Sequence, residues 1–268
     1  MSEIRFGVIG LGIVGSCYYR WLKQYGYVAS YDKKGDGSID DVNAAEVVFV
    51  CVNTPFDVSD NLMDTSYIVS SIKCLSGSKS VVICSTVPIG FCKSLSHLYP
   101  QHKIFHNPEF LRAKSAWEDF CNPCRQVIGI TKEELRSTSL IDYLPQSKPF
   151  IVQSEVSELI KLSSNLLLAV RVAAAHKVIE LGKSAGVEEC DIKDILSCDS
   201  RIGAYGLNTL EQRGYSGRCF PKDVRTFIAE CKRNNISCGW LEAMDDANCD
   251  LLKVQGIDVD YGYPAEEA

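Results

Sequence analysis

In the segment Gly214-Tyr-Ser-Gly-Arg-Cys-Phe-Pro-Lys-Asp223, one cysteine follows a flexible loop, lies between two cations and stands at the start of a helical pattern. Pro221 suits a first helical turn, where a missing N–H costs nothing. Val224, Phe227, Ile228 and Cys231 follow at i, i+3, i+4, i+7, the spacing of an amphipathic helix. A thiol just ahead of a helix N-terminus and flanked by Arg218 and Lys222 is expected to shift toward thiolate. Thiolate is the nucleophilic form, so Cys219 is a candidate for covalent catalysis. A structural cysteine in a glycine-rich turn accounts for the same residues equally well.

A second signature is Gly10-Leu-Gly12-Ile13-Val14-Gly15, which follows a strand and opens a helix. The glycines allow a tight turn, close approach of a pyrophosphate and close helix–strand packing, with the helix N-terminus facing the negative charge. Asp32 closes the second strand, 22 positions after Gly10. A carboxylate there would take the adenosine ribose hydroxyls and disfavour the extra phosphate of NADP, so NAD is the expected cofactor. Lys33 and Lys34 follow immediately.

Two further loops, Val52-Asn-Thr54-Pro55 and Cys84-Ser-Thr86-Val-Pro-Ile-Gly90, belong at the C-terminal ends of strands, the ligand side of such a sheet. Proline stops each strand, which would expose the hydroxyls of Thr54 and Thr86. Ordinary strand-ending turns explain either loop alone as well. Glu158, Lys161 and Asn165, at i, i+3, i+7, share one face of a long helix. An amine and a carboxamide there could donate to a developing oxyanion, or the three could form a solvated polar stripe beside a core helix. Cys121-Asn-Pro-Cys124 supplies two of the four ligands zinc needs, with no second pair at suitable spacing, so no metal site is expected. His97, His102, His106 and His176 form neither ligand spacing nor a triad signature and receive no role.

The elements that must position these residues fall into two groups. Strand candidates are Ile4–Ile9, Tyr27–Tyr31, Val47–Val52, Ser80–Cys84, Lys103–Phe105, Gln126–Gly129 and Phe150–Val152. Their flat hydrophobicity suits burial on both faces. Amphipathic segments such as Gly12–Tyr25, Thr65–Leu75 and Gly90–Leu98 lie between them, a βαβ rhythm that predicts an α/β fold with a Rossmann-type, doubly wound parallel sheet. From Glu155 to Ala185 there is one long helical pattern without proline, followed by helical segments at Val187–Ser197, Pro221–Asn234 and Trp240–Val254. The expected organisation is an NAD-binding domain over 1–153 and an all-helical domain over 154–268 that carries Cys219. The last dozen residues read as a frayed polar tail.

Composition narrows the function classes. Of 268 residues, 46% are hydrophobic and 23% charged, ordinary globular values. A net charge of −6 gives no support for a nucleic-acid or anionic-membrane surface. Thirteen cysteines without a pairing rhythm suit buried thiols in a reducing cytoplasm better than a disulfide framework. Met1 leads directly into a strand, so no signal peptide is expected. The apolar stretch Leu162–Leu181 is interrupted by Arg171, His176, Lys177 and Glu180, which favours a buried helix over a membrane span. The helix is apolar nearly all round from Leu166 to Val178, so a homodimer packed through the helical domain is expected.

Taken in order, Gly10–Gly15, Val52–Pro55, Ser85-Thr-Val-Pro-Ile-Gly90, Asn107-Pro-Glu-Phe-Leu-Arg112, Glu158-Leu-Ile-Lys-Leu-Ser-Ser-Asn165 and Gly217-Arg-Cys-Phe-Pro-Lys-Asp223 resemble the UDP-glucose/GDP-mannose dehydrogenase family. Asp199-Ser-Arg-Ile-Gly203 also resembles a family segment, and the resemblance covers nearly the whole chain. It implies oxidation of the primary alcohol of a nucleotide sugar to a carboxylate, with NAD used twice in succession. Cys219 would capture the intermediate aldehyde as a thiohemiacetal and carry it to a thioester that water hydrolyses. Lys161 and Asn165 would then stabilise oxyanions, Asp223 would activate water or relay protons, Thr86 would lie near the nicotinamide, and Glu109 would assist thioester hydrolysis.

The departures are specific. Ala113 stands where the family usually has a second glutamate, Ser216 where it has a third glycine, and His176-Lys177 where it has Asn-Glu. The stretch from Asp32 to the third strand is short, so a helix is expected to be lost or reduced. The family also carries a third, C-terminal domain that grips the nucleotide, and the sequence ends near where that domain would begin. A short form is therefore expected, with an incomplete substrate site in one chain. Two rival readings remain: a two-domain hydroxyacid or alcohol dehydrogenase without covalent cysteine chemistry, and a non-catalytic NAD-binding relative.

Overall fold

A computed structural model describes residues 4–207 and 213–258. It divides into two compact units, one of residues up to 57 with 63–161, the other of 58–62 with 162 onward.

The first unit is built on a seven-stranded sheet. Its strands are β1 (Phe6–Ile9), β2 (Val28–Tyr31), β3 (Val47–Val50), β4 (Ser80–Ile83), β5 (Lys103–His106), β6 (Gln126–Ile130) and β7 (Pro149–Gln153), in the order β2-β1-β3-β4-β5-β6-β7. Helices α1 (Ile13–Leu22), α2 (Ile39–Asn43), α3 (Ser66–Lys73), α4 (Phe91–Leu98) and α5 (Ala116–Cys121) connect them. Alternate strand residues go to opposite faces. Val8, Phe49, Val82 and Phe105 pack with Tyr18 and Leu22 of α1 and Phe120 of α5. Ile9, Val48, Val50, Val81 and Ile83 pack with Val42 of α2, Ile68 and Ile72 of α3, and Leu95 of α4. Both faces are covered, which is why the strands read as unbroken apolar runs. The shortened region after Asp32 keeps a helix of only five residues, α2.

The sheet is mostly rather than wholly parallel. β6 runs antiparallel to β5, and β7 parallel to β6. β6 overlaps β5 through only Phe105↔Ile130 and His106↔Gly129. The end of the sheet, and the helix that follows it, are thereby brought level with the C-terminal end of β5. That helix, α6 (Ser154–Ser184), approaches Gly129 so closely that a Cβ there would lie 2.1 Å from Ser157 Oγ. The compact sheet unit ends at Lys161, two turns into α6.

The second unit contains the rest of α6 with α7 (Glu189–Ser197), α8 (Phe220–Arg233) and α9 (Gly239–Val254). Leu166, Ala169 and Val172 of α6 pack with Tyr215, Val224, Ile228 and Leu241. By length and composition α6 could cross a membrane, yet one face of it forms this core and Arg171, Lys177 and Glu180 interrupt it. The tail expected at the C-terminus lies, from residue 259, outside the described residues.

Candidate active site

The glycine-rich turn between β1 and α1 is shaped by main chain. Gly10 adopts φ +87°, and a Cβ on Gly15 would meet the Gly10 carbonyl oxygen at 1.8 Å. Neither position tolerates a side chain. At Gly12 an added Cβ would meet nothing within 4 Å, and no side chain caps the helix. The amides at the start of α1 therefore face open space beside an exposed Ile13, with Val14 packing inward on the core. Asp32 closes the cradle: Leu11 N donates to its Oδ2 at 2.8 Å and Lys34 N to its Oδ1 at 3.0 Å. These two bonds hold its carboxyl below the ordinary carboxylate range. An uncapped helix start, an open glycine and a fixed carboxylate at the end of β2 fit a dinucleotide with an unphosphorylated ribose.

The two proline-bearing loops are tied to each other. Thr54 Oγ1 donates to the Thr86 carbonyl at 2.8 Å, and Ser85 Oγ donates to the Val52 carbonyl at 2.6 Å. The threonine hydroxyls expected at the surface are instead buried, Thr54 at 4% and Thr86 at 8% exposure, and that of Thr54 is occupied in joining the loops; Pro55 stays exposed. Beneath them His106, fully buried, meets Ser157 Oγ through Nδ1 and the Ser85 carbonyl through Nε2.

The polar face of α6 separates into different tasks. Glu158 is fully buried and accepts from Gly90 N at 2.5 Å and Cys92 N at 2.8 Å, satisfying the first turn of α4. Burial pushes its carboxyl up. Lys161 Nζ donates to the Glu109 carbonyl at 2.7 Å and to its carboxylate at 3.3 Å. Asn165 Nδ2 donates to Asp223 Oδ2 at 2.5 Å.

Cys219 is exposed and forms the N-cap position of α8, with Pro221 in the first turn. Asp223 N closes that turn on the Cys219 carbonyl at 3.0 Å. Lys222, expected to act on the thiol, has a nearer engagement: its Nζ donates to Asp223 Oδ1 at 2.5 Å. Asp223 is fully buried and so requires such partners. Lys222 is thus engaged by the carboxylate one turn along α8 from Cys219.

The sequence-derived residues gather into four groups: Gly10 to Gly15 with Asp32, Thr54 with Thr86, Lys161 with Glu109, and Asn165 with Asp223 below Cys219 on α8. Sequence reasoning passed over His106, Ser157 and His176. His176 Nδ1 accepts the Gly214 N–H at 2.5 Å. The only sign of it in the sequence is its place in the pair that departs from the family's Asn-Glu. Among the described residues, no group of three or more His, Cys, Asp or Glu is placed to hold a metal ion.

A doubly wound sheet with a dinucleotide-type turn, followed by a unit of helices, defines a two-unit protein of the nicotinamide-dinucleotide-binding class. The chain belongs to the UDP-glucose/GDP-mannose dehydrogenase family: residues 28–142 match its NAD binding domain and residues 155–250 its central domain. It is 32% identical over 231 residues to the UDP-glucose 6-dehydrogenase of Rhizobium meliloti, covering 80% of this chain and 52% of that protein. The chain spans about half the length of the curated relatives it matches. Its fold resembles a UDP-glucose dehydrogenase from the archaeon Pyrobaculum islandicum, with TM-score 0.81 and 25% identity over 92% of this chain and 68% of that one. A 3-hydroxyisobutyrate dehydrogenase from Mycobacterium tuberculosis shares the fold alone, at TM-score 0.74 and 14% identity over 98% of this chain and 97% of that one.

Proposed function

We propose that this protein oxidises the C6 alcohol of a nucleotide sugar of the UDP-glucose type to the uronic acid, a four-electron reaction through Cys219. The observation that carries this reading is an exposed cysteine at the head of α8, one turn from a fully buried Asp223 that Asn165 and Lys222 hold. The rival two-domain alcohol and hydroxyacid dehydrogenases need no such nucleophile, and the fold they share does not separate the readings.

NAD supplies the hydride acceptor for both oxidations. Gly10, Gly12, Gly15 and the α1 amides would bind its pyrophosphate, and Asp32 its ribose hydroxyls. Thr54, Pro55 and Thr86 would line the nicotinamide side, where the hydrogen bond from Thr54 to the Thr86 carbonyl keeps the two loops in register. The Cys219 thiolate would add to the aldehyde carbon, and the protonated adduct would hold the aldehyde against release. At the thioester stage, water would free the acid and return the thiol. Lys161 and Asn165 are the donors for the oxyanions of these steps. Asp223 would handle the proton of water, and Glu109, held to Lys161, would assist hydrolysis. Ala113 offers no second carboxylate for that step, so deacylation is expected to limit turnover.

We also infer a homodimer through the helical unit, because Leu167, Leu181 and Trp240 there are 63%, 71% and 62% exposed. Light scattering at micromolar concentration that finds a monomer would remove that inference. A cytoplasmic setting fits the absence of disulfides among the described cysteines. The activity itself is tested by incubating the protein and NAD with a panel of UDP- and GDP-sugars, small hydroxy acids and simple alcohols. NADH from a nucleotide sugar supports the reading. NADH only from an acid or alcohol, or from nothing, contradicts it.

A further inference from the structure

Gly214 opens the segment that ends at Cys219, and its buried N–H donates to His176 Nδ1. Its φ is +85°, and a Cβ there would lie 2.6 Å from Asn248 Oδ1. The next residue is gripped from α9: Tyr215 N donates to Asn248 Oδ1 at 2.8 Å, and Asn248 Nδ2 donates back to the Tyr215 carbonyl at 2.9 Å. The Tyr215 ring is 1% exposed, and its hydroxyl donates to Asp245 Oδ1 at 2.7 Å. Asp245 is in turn paired with Arg225 at 3.2 Å. The base of the cysteine loop is therefore clamped by α6 and α9, while Arg218 and Cys219 at its far end are exposed.

One member of the clamp, His176, loses its hydrogen-bond acceptor when it takes a proton. Asn248 does not titrate, Arg225 stays charged, and burial raises the Tyr215 hydroxyl further above its ordinary range. A neutral imidazole has one acceptor nitrogen and an imidazolium has none. We propose that His176 is a positioning residue for Cys219: neutral, it fixes the base of the cysteine loop through Gly214, and protonated, it releases that base. The proposal deepens the covalent role assigned to Cys219 and rests on it. The charged groups bordering the same cavity, of about 290 Å³, are Lys177 and Glu180 of α6 and Arg213 beside Gly214. Glu180 is paired with Lys177 at 2.8 Å. From α9 the cavity receives apolar side chains and the Asn248 amide, and among the described residues α8 brings the charged side chain of Arg225 to the clamp, through Asp245.

The test compares wild type with His176→Ala and His176→Asn, since asparagine offers an acceptor that does not titrate. The first readout is amide hydrogen exchange of the peptide over 213–219, corrected for intrinsic rate, from about pH 8 to about pH 4.5, a span that brackets an ordinary imidazole. The alanine variant should lose protection throughout. Wild type should lose it on the acid side, and the asparagine variant should keep it across the span. The second readout is turnover: His176→Ala should lower kcat about 10- to 100-fold with the KM for NAD unchanged, and His176→Asn should restore kcat and extend the acid limb of its pH profile. Wild-type protection in the alanine variant overturns the proposal. So does level protection in wild type, or an asparagine variant that follows wild type into acid. If wild type oxidises no nucleotide sugar, the proposed function fails, while the exchange comparison still decides whether His176 anchors the loop.

Discussion

In the sheet unit, the glycine-rich turn of Gly10, Gly12 and Gly15 is shaped by main chain, and the side chain beside it, Asp32, is itself fixed by two backbone amides. In the helical unit the segment that carries Cys219 is held by side chains contributed by separate helices. Asp223 is held by Asn165 and Lys222, Gly214 by His176, and Tyr215 by Asn248 and Asp245. A main-chain site is written in a few adjacent residues and tolerates change around it. A site held by side chains is spread over some 80 positions, from Asn165 to Asn248, and each of its members is a point of failure.

The largest expected effect comes from the helical unit. Cys219→Ser should lower uronate formation by on the order of 10³-fold or more, because a serine hydroxyl lacks the thiolate's nucleophilicity, while NAD affinity measured by calorimetry stays at the wild-type value. Coupled loss of NAD binding would break the separation between the two units' tasks. Next is Glu158→Ala, which strands the Gly90 and Cys92 amides at the start of α4. A loss of roughly 2–4 kcal/mol is expected in denaturant unfolding, and a change under 0.5 would show that water replaces the carboxylate.

Asp32→Ala tests the main-chain site directly. The KM for NAD should rise about 10- to 100-fold, the value of a hydrogen bond to a charged group, with little effect on kcat. An unchanged KM would mean that the turn binds without its carboxylate.

The last effect is a slope. His106 is fully buried, and burial pushes its imidazole down to about 3. In the unfolded chain it takes a proton near pH 6.5. Its contribution to stability is therefore full above about pH 6.5 and is lost as pH falls toward 3, by about 1.4 kcal/mol per pH unit. His106→Gln should flatten the acid limb of the denaturation midpoint between about pH 6.5 and 5. An equally steep limb would assign the loss to other groups.

The seven strands and the long helix were legible because a strand covered on both faces must be apolar along its whole length, as β1, β3 and β4 are. The cofactor turn was legible because only glycine fits Gly10 and Gly15. The reversal at β6 was not, since Gln126–Ile130 carries the same apolar signal in either direction. The destination of Lys222 was missed because its neighbour in the chain, Asp223, competes for it. Thr54 and Thr86 read as exposed strand ends, but the loops they occupy turn toward each other and bury both. His176 looked like a stray histidine in an apolar helix, and the return of the chain at Gly214 brings it a partner.

The central claim is that Cys219 carries an aldehyde through a second oxidation. Its most direct measurement is NADH formed per mole of nucleotide sugar consumed, in wild type and in Cys219→Ser, with the sugar product identified by mass spectrometry. The account predicts two NADH per sugar and uronate as product in wild type, with neither retained in the serine variant. One NADH per sugar in wild type, or two in the serine variant, contradicts it.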